Sequence, residues 1–541
     1  MVYPSELKSS LALVEQTRGK RLKTSFPRLT SQEKSNLLEG YHPDHRPTGR
    51  VKLKVGPNTG ELVPKELGVL IHSYSKINPN AFDLAMVKRE VDVLVVGGGG
   101  AGVTSALYAS EKGAKVLMVT KLRLGDSNTI MAEGGIGAAT EPDDSPYLHY
   151  LDTIGGGGYK NIPELVEILV NDAPQIVEWL EDLGVMFDRK PDGSILTHAP
   201  GGHCRRRSHS CKDLTGLEIM RTLKDELYNQ EIDVLEFAAA LELILDEDGK
   251  CAGAIVRDMD TNEDYIVKAK AVIIATGGMG RLHMHGFPTS NHYGATADGI
   301  VMAYHAGAPL AYIDAVQYHP TGVAWPEQML GQLITEAIRA NGANLVNKEG
   351  QVFINELETR DACTSAIIRE CEQKRGVITP TETQGVWLDI PMIDIIGGQG
   401  KVEKQFTGVF KKYLDYDIDI RKEPILVYPT QHYQNGGILV DASCRTKVPG
   451  LFVAGEAAGG VHGRNRLGSN SLVDIFVFGR RAGIAAAGYS LEAEVGEFNL
   501  EYLQGYHREL EKAGIEPGGT SPLLLPDYIN ARVKKRRLNF N

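Results

Sequence analysis

The 541-residue sequence has no apolar run near the roughly 20 residues a membrane-crossing helix needs, so no membrane span is expected in this chain. It also lacks an apolar stretch ahead of a cleavage site. The first residues are polar and carry Lys8, Arg18, Lys20 and Arg21, which points to a cytoplasmic protein. Positive charge is in deficit, with 58 Lys and Arg against 69 Asp and Glu, a formal net charge of -11. That balance argues against a nucleic-acid binder, whose footprint is normally basic, and means that an anionic substrate would need a local cationic pocket. Cysteine is sparse. The six residues, Cys204, Cys211, Cys251, Cys363, Cys371 and Cys444, form no C-x-x-C pair, no haem motif and no ferredoxin spacing, and are expected as reduced thiols. The run His203 to Cys211 mixes His, Cys and Arg but fits no zinc pattern, so no metal site is expected.

Glycine is what the sequence has in quantity. There are 60, many clustered, as at Gly97 to Gly100, Gly134-Gly135, Gly155 to Gly158 and Gly277-Gly278. Such clusters occur where a backbone turns sharply or approaches a ligand closely. The length exceeds what one core usually supports and implies two or three domains.

Residues 1–89 show no long periodic pattern, contain several prolines and read as an N-terminal extension, either draped over the body or a partner, or partly ordered, with one short helix near Lys65 to Tyr74. At Val91 the pattern changes to a continuous apolar run, as in a parallel strand buried on both faces. It leads into Gly97-Gly98-Gly99-Gly100-Ala101-Gly102, a helical stretch from Val103 to Glu111, and a second strand from Lys115 to Thr120. This is the G-x-G-x-x-G fingerprint in its strand-turn-helix context. Gly97 makes the turn, Gly99 admits a pyrophosphate, Gly102 allows helix-strand packing, and Gly100 and Ala101 open the helix N-terminus toward the phosphates. Thr120 and Lys121 stand where an acidic ribose ligand is expected, which tilts the reading away from NAD without excluding FAD. Two further strands, Ala271 to Ala275 and Gly450 to Ala454, end in Thr276-Gly277 and Gly455-Glu456 and bring polar groups to the same sheet edge.

Several motifs then occur in a fixed order: Ser127-Asn128-Thr129-Ile130-Met131-Ala132-Glu133-Gly134-Gly135, Ala275-Thr276-Gly277-Gly278, His319-Pro320-Thr321-Gly322, Thr335-Glu336-Ala337-Ile338-Arg339, Thr359-Arg360-Asp361 and Asn465 to Leu472. In this order they resemble the flavoproteins of succinate dehydrogenase and fumarate reductase and, within the same family, the L-aspartate oxidases, over roughly Val91 to Gly483. The resemblance implies an α/β fold: a Rossmann-type FAD-binding domain in two chain segments, 90–318 and 429–485, an inserted α+β capping domain, 319–428, and a short C-terminal helix and tail, 486–541. It implies that FAD contacts Gly97, Gly99, Gly100, Ala101, Gly102, Thr120, Lys121, Ser127, Asn128, Thr129, Glu133, Gly134, Gly135, Thr276, Gly277, Asp298, Glu456, Ser469, Ser471 and Leu472. Covalently flavinylated members carry a flavin-linking histidine at the position of Asn128, so FAD is expected here without a covalent bond, at a potential that suits fumarate reduction. Ser469-Asn470-Ser471 reads as the N-cap of an apolar helix, and the resemblance implies that the helix turns its positive end to the flavin.

For the chemistry, the resemblance assigns His319 and Thr335 to one substrate carboxylate, His432 and Arg466 to the other, Arg360 to proton donation, and Glu336 with Arg339 to its relay. The implied activity is fumarate and succinate interconversion by hydride transfer at flavin N5, with electrons exchanged through a partner iron-sulphur subunit. Two other readings stay open: an L-aspartate oxidase, and a flavoprotein that only relays electrons. Against the first, Pro200 stands where that branch places a glutamate for the substrate ammonium; it also departs from the phenylalanine usual in the dicarboxylate reductases, which leaves a larger or substituted dicarboxylate open as the substrate. Ser521 to Pro526 and the basic Lys534-Lys535-Arg536-Arg537 are read as a partner-docking segment or a solvated tail.

Overall fold

The computed structural model describes residues 3–526. The apolar runs assemble into one eight-stranded sheet. Val87–Val96 lies between Val116–Thr120 and Asp264–Ile274, all parallel, and Asp233–Glu236 extends the parallel run. Leu451–Val453 joins the far end of Asp264–Ile274, also in parallel, so a late chain segment completes a sheet begun by an early one. Val93, Leu94 and Val95 are fully buried because helices cover both faces. The helix Gly100–Glu111 follows the glycine turn and packs on the 23-residue helix Asn470–Glu492. Their contact is close enough that a Cβ on Gly483 would sit 2.3 Å from the Ser105 carbonyl oxygen.

A second core surrounds an antiparallel sheet in the order Val316–Val323, Ile425–Gln434, Gln384–Asp389, Asn344–Val346. It holds Trp387, Ile338, Ala362 and Phe410 and forms the cap over the first sheet's carboxyl edge. The borders expected at 318/319 and 428/429 fall inside two of these strands. A strand keeps its ladder of hydrogen bonds from one core to the next, so the chain crosses between bodies as rigid ribbon rather than as linker.

The first 85 residues hold more structure than the sequence shows. Helices Ser5–Arg21 and Ser31–Tyr41 precede the expected short one, which spans Lys65–Ile71. In the first helix only Leu7, Val14 and Arg21 are buried, one residue in seven, a stripe too narrow to read as amphipathic. Tertiary bonds hold it instead. Arg18 and Arg21 both reach the fully buried Asp389 carboxylate at 2.8 and 2.6 Å, Trp387 donates to Ser10 at 2.8 Å, and the Tyr3 hydroxyl donates to the Pro424 carbonyl at 2.7 Å. The second helix begins with a Thr30/Glu33 capping box. Residues from Leu53 to Ile71 then join the Rossmann core, so the extension touches both bodies.

The end of the described chain is likewise docked on its own fold. Thr520–Ser521 pairs in parallel with Tyr74–Ser75, and Leu524 is buried with Ile77 and Ala239. Ser521 to Pro526 is therefore neither a solvated tail nor a free docking arm, because its apolar side chains and strand edge are used internally. Lys534 to Arg537 lie outside the described residues. Among the described residues no helix is long and apolar enough to cross a membrane.

Replacing Asp389 with alanine leaves Arg21 buried without its anion, a change that costs about 3–5 kcal/mol. Asp389→Ala is expected to lower the urea midpoint by a corresponding amount and to speed tryptic cleavage after Arg21, both read on the full-length chain.

Candidate active site

A cavity of about 1590 Å³ runs between sheet and cap, from the glycine turn to Arg360. Ordinary small-ligand pockets span about 300–1,000 Å³, so there is room for a dinucleotide and a second small molecule. At one end, Gly97 has φ +120°, and a Cβ there would lie 2.3 Å from the Ala275 carbonyl oxygen. A Cβ on Gly102 would lie 1.9 Å from the Gly97 carbonyl oxygen, so neither position tolerates a side chain. Gly99, Gly100 and Ala101 line the cavity beside them, as do Thr120 and Lys121 at the end of the next strand. The hydroxyl of Thr276, beside Gly277, is buried without a partner at the cavity wall. A glycine cradle at a helix start, a cavity of this size and an orphaned hydroxyl fit an adenine dinucleotide.

The segment from Ser127 to Gly135 forms the next stretch of wall. Asn128 is fully engaged: its amide nitrogen donates to Asn291 Oδ1 at 2.7 Å and Glu456 Oε2 at 3.2 Å, and its oxygen accepts from the His292 N–H at 2.6 Å. Thr129 Oγ1 accepts from the Gly100 N–H at 3.1 Å and so ties the segment to the glycine loop. Burial raises the Glu133 carboxyl to about 7 although Lys412 stands 3.5 Å away. Gly134 and Gly135 also line the wall, and a Cβ on Gly135 would meet Ser208 Oγ at 2.3 Å. Burial likewise raises Glu456, whose other oxygen accepts from the Gln434 N–H at 2.9 Å. Asp298 is held at 2.5 Å by Lys121 and accepts from the Leu524 N–H at 3.2 Å.

Ser469, Ser471 and Leu472 line the cavity at the start of Asn470–Glu492, whose positive end therefore faces the cleft. The expected side-chain cap is not there. Ser469 adopts φ +66°, makes no cap hydrogen bond, and turns its hydroxyl to Ser208 Oγ at 2.7 Å, because a left-handed residue cannot aim its side chain back at the first turn.

At the other end the sequence-predicted chemical residues converge. Arg360 Nε and Arg339 Nη2 both donate to Glu336 Oε2, at 3.0 and 3.1 Å, and the Gly201 N–H donates to Glu336 Oε1 at 2.8 Å. Burial would raise this carboxyl, but the two guanidiniums and the hydrogen bonds prevail and hold it at about 2. Arg360 and Arg466 each donate to the same oxygen of Gln317, at 3.0 Å. His319 and His432 stand 5.2 Å apart between ring centres. Burial first, and then Arg360, push both imidazoles well below their ordinary value, so they are neutral at physiological pH. His319 Nδ1 accepts from the Thr321 N–H at 3.3 Å, which leaves Nε2 to carry the proton. Ser290 Oγ orients His432 at 2.8 Å. Thr335 lines the cavity and caps its own short helix, accepting from the Ala337 N–H at 3.4 Å. Arg466 lies 4.4 Å over the Tyr433 ring, and its Nε is buried without a partner.

Three guanidiniums against one carboxylate, 3 − 1, leave this cluster a net charge of +2. Sequence reading missed Gln317, Ser290, Asn291 and Tyr433. Gln317 had a signal: it precedes His319 by two residues on one strand and so shares its face.

Burial, with Arg360 adding repulsion, lowers Arg466 to about 9. Because the cation is the form that binds an anion, affinity for a dicarboxylate is expected to hold from pH 7 and to fall as pH rises through about 9. Equilibrium titration with a non-reacting dicarboxylate across pH 7 to 10 checks this, and Arg466→Lys is expected to move the fall.

Comparison with known proteins points to the same class of cofactor. The FAD binding domain family matches residues 92–472. The chain is 41% identical over 409 residues to a fumarate reductase (CoM/CoB) subunit of Methanothermobacter marburgensis, covering 74% of this chain and 72% of that one. It is 38% identical over 411 residues to L-aspartate oxidase of Streptomyces coelicolor, covering 73% and 68%. Among solved structures, a mutant of E. coli quinol fumarate reductase FrdA superposes with a TM-score of 0.71 at 31% identity, over 79% of this chain and 74% of that one. With a glycine cradle, a cavity of dinucleotide size and these matches in register, the chain belongs to the FAD-binding flavoprotein family that includes fumarate reductase subunits and L-aspartate oxidases.

Proposed function

We propose that this FAD-dependent oxidoreductase reduces fumarate to succinate, working as the flavoprotein component of an electron-transfer complex. The observation that carries the reading is the buried +2 cluster around Gln317 and Glu336, which matches a dianion in charge. His319 and Thr335 hold one carboxylate, and His432 and Arg466 the other, with Arg466 offering its planar fork. Held at both ends, the diacid is oriented for reaction. Bound FAD supplies hydride chemistry at N5. Arg360 gives the proton that balances the hydride, and the Glu336 carboxylate, bridging Arg360 and Arg339, is the route by which that proton is replaced. A guanidinium ordinarily keeps its charge, so a relay already in hydrogen-bond contact is what makes its transient loss of a proton feasible.

FAD is held without a covalent bond in this reading, because Asn128 offers an amide already bound on both sides. Electrons reach the flavin from a separate polypeptide, in keeping with the Methanothermobacter relative being one component of a larger enzyme, through an iron-sulphur or thiol-dependent partner. An L-aspartate substrate is less well served. Its ammonium would meet the Pro200-Gly201 wall, and Glu336 is already neutralised by two guanidiniums.

Under anaerobic conditions the purified chain is expected to oxidise reduced viologen dye when fumarate is added, and to give no hydrogen peroxide with L-aspartate in air. The reverse pattern would move the assignment to the oxidase branch. Arg360→Gln is expected to lower kcat about 10²–10⁴-fold with a much smaller change in dicarboxylate affinity. Acid precipitation is expected to release all flavin into the supernatant; yellow pellet protein would overturn the non-covalent assignment.

A further inference from the structure

Beyond the chemistry at Arg360, the cavity's opposite end has a wall supported from an unexpected direction. Lys121 follows the second strand of the Rossmann unit, where a ribose ligand is placed by the fold. Its ammonium has three partners: Thr296 Oγ1 at 2.6 Å, Asp298 Oδ2 at 2.5 Å and the Leu524 carbonyl oxygen at 2.6 Å. Leu524 also gives its N–H to the second oxygen of Asp298 at 3.2 Å, and its carbonyl accepts from Thr296 Oγ1 at 3.0 Å. Two residues on, the Pro526 carbonyl accepts from the Tyr293 hydroxyl at 2.5 Å. Leu524 does this at φ +66°, a left-handed conformation uncommon for leucine, which persists only where surroundings enforce it. Its side chain is buried beside Ala239, whose neighbours Ala238 and Ala240 line the same end of the cavity.

We infer that the segment Thr520 to Pro526 is a structural part of the cofactor site, a brace that fixes Lys121, Asp298 and the 292–298 loop against the ribose end of FAD. Both polar backbone groups of one residue are spent on the two charged side chains that line the cavity there. Without the brace, Lys121 and Asp298 each lose a partner, and the loop they anchor is free to shift away from the nucleotide. The effect is on cofactor affinity, distinct from the dicarboxylate chemistry, and it rests on FAD being the ligand of this cavity.

Apoprotein titrated with FAD, followed by quenching of flavin fluorescence, tests the brace directly. A chain ended after Pro526 is expected to bind FAD like the full chain, and one ended after Gly519 to bind about 10-fold or more weakly, equivalent to about 1.4 kcal/mol. Leu524→Pro lacks the N–H and cannot adopt φ +66°, and is expected to lose the affinity. Circular dichroism of each apoprotein separates loss of affinity from loss of fold; should the truncation or the proline variant not fold, Tyr293→Phe, which removes only the hydroxyl that holds the Pro526 carbonyl and does not line the cavity, decides the matter by the same titration. Unchanged FAD affinity after truncation at Gly519, or in Tyr293→Phe, overturns the inference, as does an equal loss on ending the chain at Pro526. A full-length chain that takes up no FAD at all would instead overturn the cofactor assignment on which the brace depends.

Discussion

The structure is organised around a concentration of like charge away from water. Arg360, Arg339 and Arg466 are gathered within a few ångströms of one another, with Glu336 and the Gln317 oxygen bridging them. Guanidiniums buried this way repel one another, and they stay together only because each sits on a different rigid element. Arg339 rides on a short helix of the cap, Arg360 starts a 13-residue helix, and Arg466 precedes the long helix of the Rossmann body. Two cores are needed to make the pocket at all. The two ribbons that pass continuously between them, Val316–Val323 and Ile425–Gln434, carry Gln317, His319 and His432, so the junction of the bodies and the pocket are one construction.

Much of this was legible in the sequence because it is local. The glycine turn, its flanking strand and its helix follow from short-range pattern, and the structure places them within a few residues of expectation, the helix starting at Gly100 rather than Val103. Six of the seven residues that the resemblance assigns to the substrate line one end of the cleft, and Arg339 stands behind them on Glu336. Gln317 escaped because glutamine carries no charge signal, although its strand position pointed at the same face as His319. Ser290 and Tyr433 escaped because their work is to hold another side chain, a relation that exists only in three dimensions.

The failures at both chain ends share a cause. The first helix buries one residue per seven and depends on Asp389, which is 368 positions from Arg21, so no window of sequence contains the reason it is ordered. Ser521 to Pro526 looked like a tail because its partners, Tyr74, Ser75, Lys121 and Asp298, lie hundreds of residues upstream. Ser469 failed as a cap for a smaller reason: the sequence pattern gives residue type, but a backbone in the left-handed region aims the hydroxyl elsewhere.

The hydrogen bond from Tyr3 to Pro424 spans 421 positions. During synthesis, Tyr3 and the helix after it must wait for about four hundred further residues before their surface exists. Translation at about 5–20 residues per second makes that delay roughly 20 to 80 seconds, far longer than a helix needs to form and melt many times. Over that interval Leu7, Val14 and Arg21 have nothing native to cover them, while the glycine-turn unit can assemble from neighbours made moments apart. For the helix Ser5–Arg21 the order of assembly thus departs from the order of manufacture: it is made well before the Asp389 carboxylate that seats it.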